Sequence, residues 1–244
     1  MTQTTARYWS RQTFGSAMLG HKARTKRLVQ MGAMAARRPA GKITEVCRKK
    51  ADQLGAYRFV ENDRIEPEAI IEAISEGTLQ RCSTSTNVIT PVDGSSIAID
   101  DPEDRRGLGR VGNDTKGQRG LLMANAMALD SRGIPQGLCD QMWWRRKHPE
   151  ERSTCEDATF WDKETSHWYR AAQRVVDRFE AHPRDLTAWL QLDRGWDFKE
   201  FLGWAGSHPS HHFTVRLAQT HRCIEGEGEA FSHVHYKLKA QPVG

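Results

Sequence analysis

The chain has 244 residues, a mass of 27.7 kDa and a formal net charge of +5, and 38% of its residues are hydrophobic. Its length is sufficient for a buried core, and its eight Trp and eight Phe argue against wholesale disorder. No window contains the roughly 18 consecutive apolar residues of a membrane span, and residues 1–11 lack the apolar core of a signal peptide. The five cysteines never form a CxxC pair, so we expect a reduced, cytoplasmic protein with no membrane partner.

The charge is distributed unevenly along the chain. Residues 1–60 contain thirteen Lys and Arg but only two acids, which gives this segment a net charge of +11 and leaves −6 for the remainder. Aromatic and apolar residues lie between these cations, a pattern typical of nucleic-acid binding rather than of a flexible basic tail. A solvated basic face is the alternative interpretation.

The first part of the chain is predicted to be helical. Apolar residues at helical spacing predict one helix over residues 8–38 and a second over 43–54, followed by a short connector at 55–59. A third helix is expected to begin near Pro67, because proline suits the first helical turn. We therefore expect residues 1–80 to form a small, basic, all-helical domain.

The pattern then changes to strands rich in apolar residues. Three strands are expected at residues 88–99, 119–129 and 134–142, and the turn 130–133 would join the last two as a hairpin. The segment 100–117 between the first two is charged and glycine-rich and is predicted to be an exposed loop.

The remaining elements alternate between helix and strand. An amphipathic helix is predicted over 164–181, a strand over 187–192, a helix over 196–205 and a strand over 212–217. A meander followed by such alternation indicates an α/β sandwich with a mixed sheet. The whole chain is thus predicted to be an α+β protein.

Two aspartates are candidates for a metal site. Asp93 interrupts the first strand, and Asp193 ends the strand at 187–192. Carboxylates on neighbouring strands can share Mg²⁺, and a two-metal site of this kind cleaves phosphodiesters. Asp is also common at strand ends for purely structural reasons, which is the alternative. Asp197 is expected on the same helical face as Asp193 and could join the cluster.

Two other patterns are weaker. The C-terminal His and Cys residues invite a zinc interpretation, but their spacing matches no established finger or knuckle. Gly107, Gly109 and Gly112 resemble a dinucleotide-binding loop only loosely, because no helix is predicted to follow them.

Several short segments along the chain occur in an order and at a spacing typical of one protein family. They are Phe14…Leu19-Gly20, Arg24-Thr25…Arg27-Leu28, Gly55-Ala-Tyr-Arg-Phe59, Ala69-Ile70, Asp93 before two small hydroxyl residues, Gln141…Trp143-Trp144, Lys163-Glu164…Trp168, Asp193-Arg194…Asp197 and Phe213-Thr-Val-Arg216. On these segments, from about Trp9 to Arg222, the chain resembles the DDE-class bacterial insertion-sequence transposases of the transposon-five group.

The resemblance implies that the helical domain recognises double-stranded DNA at the transposon end. The residues that fall on the DNA-contacting motif are Arg24, Arg27, Tyr57, Arg58 and Asn62. An intact transposase is a further possible partner.

The resemblance also implies a ribonuclease-H-like core over residues 85–222 with two catalytic Asp and one catalytic Glu. Asp93 and Asp193 match the two Asp and would bind Mg²⁺ or Mn²⁺, and Arg216 matches a basic residue that contacts the DNA strand. The implied reaction is hydrolysis at the element's end, followed by attack of the freed 3′-hydroxyl on target DNA.

The third acid of the family belongs to a Tyr…Arg…Glu motif after a β insertion, and this sequence contains no such motif before Gly244. We therefore expect an incomplete core, with residues 223–244 as the truncated start of the insertion. Two functions follow: a transposase that is inactive alone, or a truncated DNA-binding repressor of transposition. A free-standing nuclease would need a third carboxylate from this chain, for which Asp197 is the candidate.

Overall fold

The computed structural model describes residues 1–101, 103, 105–112, 118–147, 159–216, 223–226 and 229–233. The helices of this part are α1 (Gln3–Phe14), α2 (Lys22–Arg37), α3 (Ile43–Val46), α4 (Lys50–Val60), α5 (Pro67–Cys82), α6 (Thr165–Glu180) and α7 (Lys199–Gly206). The strands are β1 (Asn87–Ala98), β2 (Gly109–Arg110), β3 (Arg119–Leu129), β4 (Pro135–Trp144), β5 (Thr187–Leu192), β6 (His212–Val215), β7 (Cys223–Gly226) and β8 (Glu229–His233). The predicted α+β class is confirmed. Across the described ranges, no helix is both long and apolar enough to cross a membrane.

The single helix predicted over 8–38 is wrong, because the chain turns between α1 and α2. Gly20 adopts a positive φ of 72° in this turn, a conformation that favours glycine. Ala17 and Leu19 are buried here, so these apolar residues pack beneath the turn instead of continuing a helical stripe.

The second predicted helix and the connector after it are also misplaced. The segment 43–54 contains the short α3 and the start of α4, and α4 continues through 55–59 to Val60. Ala56 and Phe59 are buried on the inner face of α4. Gly55 does not end the helix; it makes room for Arg27 of α2, whose Cζ would lie 2.7 Å from a Cβ at this position.

The third helix begins at Pro67 as predicted, and α5 connects the helical segment to the sheet. Gly77 allows α5 to approach α1, since a Cβ there would lie 2.5 Å from the carbonyl oxygen of Gln12. Further along, Leu79 and Cys82 belong to the hydrophobic core beneath the sheet. The predicted domain end at residue 80 therefore falls inside a helix that both parts share.

The main sheet is mixed, with the strand order β4–β3–β1–β5–β6 and β2 pairing with the start of β3. β1, β3 and β4 form the predicted antiparallel meander, while β5 and β6 run parallel to β1. The predicted hairpin turn is present: the Gly133 N–H donates to the Asp130 carbonyl oxygen at 2.9 Å. The predicted loop at 100–117 contains β2 in its described part, and β7 and β8 form a separate antiparallel pair.

The two faces of the main sheet differ in their covering. One face packs on α6, whose buried stripe is Ala171, Ala172, Val175, Val176 and Phe179. On the opposite face, which we call the open face, Trp143 and Trp189 are each 40% exposed. Trp144 points to the covered side, where its ring stacks on His167 at 5.0 Å.

Candidate nucleic-acid interface and carboxylate site

Helices α1 and α2 and the junction of α3 with α4 surround a cavity of about 1070 Å³. Asp52 is the one acid among its lining residues, which include eight cations: Arg7, Arg11, Lys22, Lys26, Arg37, Arg38, Arg48 and Lys49. A concave surface with such an excess of positive charge attracts a polyanion. We call it the basic cavity. The sequence indicates a basic segment but does not predict which of its cations share one surface, although the i, i+4 spacing of Lys22 and Lys26 is a usable signal.

Arg24 and Arg27, which were predicted to contact DNA, do not line the basic cavity. The Nη1 atom of Arg24 donates to the Leu19 carbonyl oxygen at 2.8 Å and so stabilises the turn before α2. Arg27 packs against Gly55, and its Nη1 lies 3.8 Å from Oδ1 of Asp52. Both arginines are partly buried and have roles within the fold.

The three remaining residues of the predicted end-recognition motif lie on α4 and the turn after it. Tyr57 and Arg58 are exposed on α4, the helix against which Arg27 packs. Asn62 is half-buried, and its Oδ1 accepts a hydrogen bond from the Arg64 N–H at 3.1 Å. The structure thus brings Arg27 close to the helix that carries Tyr57 and Arg58.

The two predicted catalytic aspartates lie at equivalent positions of adjacent strands. Val92 of β1 pairs with Leu192 of β5 in parallel register, so Asp93 and Asp193 follow this pair side by side. Both side chains are exposed. Arg216 continues the row, because its N–H donates to the Leu192 carbonyl oxygen at 3.0 Å at the end of β6. The structure therefore brings Asp93, Asp193 and Arg216 to one place on the sheet.

Each carboxylate is oriented by one backbone hydrogen bond. Oδ1 of Asp93 accepts from the Gly94 N–H at 2.7 Å, and Oδ1 of Asp193 accepts from the Gly195 N–H at 2.8 Å. Within the described part of the chain, neither Oδ2 atom has a protein partner. On the covered side of β1, Trp168 of α6 packs over Gly94 so closely that a Cβ there would collide with its ring.

Asp197 does not share a helical face with Asp193, contrary to the prediction. Residues 194–196 form a 3₁₀ helix that Asp193 caps, and α7 begins only at Lys199. The glycine at 195 accounts for the difference, because its N–H is satisfied by the Asp193 side chain and the chain enters a short capped turn instead of an α-helix.

The two adjacent aspartates, Asp93 and Asp193, fit part of a magnesium or manganese site. Exposed carboxylates on adjacent strands are the hard oxygen donors that Mg²⁺ and Mn²⁺ take. Asp93 and Asp193 can supply two ligands; the described residues contain no group of three or more His, Cys, Asp or Glu that could hold a metal ion. The zinc alternative has little support, since the buried His211 uses Nδ1 to accept the Ala188 N–H at 3.1 Å. The side chains of Cys223, His233 and His235 lie outside the described residues.

Residues 6–65 match the family model described as transposase DNA-binding. The matched range contains α2, α3 and α4 entirely and most of α1. It therefore contains all eight cations of the basic cavity and every predicted DNA-contacting residue except Arg216. The helical segment of this chain is similar to the DNA-binding domain of transposases, and this match supports a transposase that has DNA as its partner.

Proposed function

We propose that this chain is a DDE-class transposase of a cut-and-paste insertion sequence, which binds the transposon ends and cleaves DNA at the carboxylate pair. The observation that carries this proposal is the combination of two features in one chain. A transposase-like DNA-binding segment precedes a mixed sheet, and Asp93 and Asp193 directly follow the last pair of residues that joins two adjacent parallel strands of that sheet. The strand order, a three-stranded meander extended by two parallel strands, supports a ribonuclease-H-like core.

Binding of the DNA end is assigned to the helical segment. The cations of the basic cavity would contact phosphates, which supply affinity and set the position of the duplex. The exposed Tyr57 and Arg58 would contact the end itself, and Arg27 would hold α4 in place while Arg24 holds the turn before α2.

Cleavage is assigned to the open face of the sheet. Asp93 and Asp193 would hold Mg²⁺ or Mn²⁺, which when bound activates water and offsets the charge that develops on the phosphate. Arg216, beside Asp193, would bind a phosphate of the same strand and keep it against the carboxylates. Hydrolysis leaves a 3′-hydroxyl, which attacks a phosphodiester of the target. The resemblance implies a third acid, which we do not assign to a described residue.

The DNA-binding part is tested by fluorescence anisotropy with duplex DNA that carries the element's terminal sequence. Lys26→Glu reverses a charge in the basic cavity, and Lys199→Glu makes the same change on the exposed start of α7. We expect only Lys26→Glu to weaken binding, and the slope of log K against log salt to become shallower by about 0.9 for each phosphate that the variant no longer neutralises. Equal affinities for the two variants would refute the assignment of this surface.

The cleavage part is tested by titration with Mn²⁺, followed by electron paramagnetic resonance, and by strand cleavage of the same DNA. Asp93→Asn and Asp193→Asn keep the size of each side chain but remove its charge, and Asp185→Asn is a control on the loop before β5. We expect Mn²⁺ binding and any strand cleavage to be lost in the first two variants only. Unchanged Mn²⁺ binding in both would refute the carboxylate site.

A further inference from the structure

A single row of polar side chains crosses the open face of the sheet on all five main strands. Gln141 of β4 pairs with Asn125 of β3, and Asn125 pairs with Asp93 of β1. Asp193 and Arg216 continue the row beyond β5 and β6. Because side chains alternate between the faces of a sheet, all five lie on the same side, opposite α6. Asn125 and Gln141 have no role in the function proposed above.

Two hydrogen bonds determine how these amides are oriented. The indole Nε1–H of Trp143 donates to Oε1 of Gln141 at 3.0 Å, and Nε2 of Gln141 donates to Oδ1 of Asn125 at 2.6 Å. An indole N–H can only donate, so Gln141 must direct its oxygen to Trp143 and its amide nitrogen to Asn125. This order requires the Nδ2 hydrogens of Asn125 to point away from Gln141.

The result is an oriented hydrogen-bond donor at the strand position facing Asp93. Asn125 is half-buried, and its Nδ2 donates no hydrogen bond to any residue in the described part of the chain. Its cross-strand neighbour Asp93 uses Oδ1 for the Gly94 N–H instead. Fixing the side chain of Asn125 in this orientation costs conformational entropy. The oriented N–H donor is then available to an anionic acceptor.

We propose that Asn125 binds a phosphate oxygen of the DNA strand at the carboxylate pair, and that Gln141 and Trp143 are positioning residues for its amide. This inference rests on the proposed function. A phosphodiester has two non-bridging oxygens, so one can face the ion held by Asp93 and Asp193 while the other accepts from Nδ2 of Asn125. Arg216, at the far end of the row, neutralises charge but cannot reach across two strands to replace this donor.

The test uses the full chain and fluorescein-labelled hexathymidylate as the probe, with binding measured by anisotropy in Mn²⁺ and again in EDTA. The difference isolates the metal-dependent part of binding from the contribution of the basic cavity. Asn125→Ala removes the donor. Gln141→Glu accepts from Trp143 but cannot donate to Asn125, so the Asn125 amide should reverse and present its oxygen. Gln191→Glu adds the same charge on the open face of β5, outside the chain of hydrogen bonds from Trp143 through Gln141 to Asn125, which we call the relay.

We expect Asn125→Ala and Gln141→Glu to weaken the metal-dependent binding about tenfold, as for one hydrogen bond to a charged group, with unchanged affinity for Mn²⁺ alone. Gln191→Glu should weaken it less than about threefold. Trp143→Phe keeps an aromatic ring but removes the indole N–H that orients Gln141, and an intermediate loss is expected. In Mg²⁺, the side-chain amide resonances of Asn125 should shift in ¹H–¹⁵N spectra when the probe is added.

The outcomes separate this inference from the function on which it rests. If Asp193→Asn abolishes metal-dependent binding while Asn125→Ala and Gln141→Glu leave it unchanged, the role of Asn125 is refuted and the carboxylate site stands. If none of the three changes it, both fail. If Gln141→Glu and Gln191→Glu weaken the metal-dependent binding equally, the added charge alone explains the effect, and the positioning role of Gln141 is refuted. Loss of Mn²⁺ affinity in Asn125→Ala would show that Asn125 supports Asp93 and overturn the phosphate contact. Matching circular dichroism spectra establish that each variant is folded.

Discussion

Asp140 of β4 is a buried acid whose removal should strongly destabilise the fold. Its side chain is only 2% exposed, and it accepts three hydrogen bonds of 2.9 Å, two from Arg174 and one from Arg178. The pKa of Arg174 is raised above its ordinary value, mainly because Arg174 donates hydrogen bonds to Asp140. Glu68 of α5 binds the outer sides of both guanidinium groups and is 48% exposed.

Asp140→Ala would leave two partly buried arginines facing an empty, apolar position. Breaking a buried ion pair costs about 3–5 kcal/mol, and because the arginine side chains are 29% and 17% exposed we expect the lower end, about 3 kcal/mol. Glu68→Gln, which weakens the exposed half of the same cluster, should cost at most about 1 kcal/mol. Urea denaturation of the two variants measures the difference as a shift of about 1 M or more in the midpoint for Asp140→Ala. A loss for Asp140→Ala no larger than that for Glu68→Gln would refute the reasoning.

Three further outcomes are expected. Gly94→Ala should destabilise the fold by about 1–3 kcal/mol because its Cβ would collide with the Trp168 ring. Gly203→Ala on α7 should be neutral or stabilising, because a Cβ there meets no atom beyond its own helix within 4 Å. Thermal unfolding of the two variants measures the difference. Burial lowers the pKa of His211 below its ordinary value, so the unfolded chain binds more protons and the free energy of unfolding should fall as pH drops below about 6.5. His211→Asn keeps an acceptor for the Ala188 N–H. Its free energy of unfolding, measured by urea denaturation, should depend less on pH between about 7.5 and about 5 than that of the unsubstituted chain. An unchanged pH dependence would show that other groups cause it. Lys26→Glu should bind DNA more weakly than Lys199→Glu when both are compared by anisotropy on the same duplex.

The strands could be predicted more accurately than the first helices, for a physical reason. β1, β3 and β5 show runs of apolar residues that are buried by the neighbouring elements, so their local pattern and their tertiary environment agree. In the helical segment, glycine has two uses that the sequence does not separate. Gly20 takes a positive φ and interrupts the helical run, while Gly55 remains inside α4 because Arg27 of another helix needs the space.

The residues of the candidate site could be predicted from the sequence, but their spatial arrangement could not. Asp93 stands out as an acid that interrupts an apolar strand, and Asp193 as an acid that ends one. Their adjacency, however, depends on the parallel pairing of β1 with β5, which lie about a hundred residues apart in sequence. Asn125 has no local signal at all. Its position beside Asp93 follows from the register of β1 with β3, and its orientation follows from a tryptophan on a third strand.

The helical segment and the sheet form one packed unit in this structure, which bears on how the proposed DNA binding and the proposed cleavage would be connected. α5 packs against α1 through Gly77, contributes Leu79 and Cys82 to the core of the sheet, and binds α6 through Glu68. A division of the chain at residue 80 would cut this helix and expose apolar surface on both sides. If the basic cavity holds a duplex as proposed, α5 and not a linker would connect that duplex to the open face. Because α6 also contacts Gly94 through Trp168, the same packing that joins the two parts supports the strand that carries Asp93.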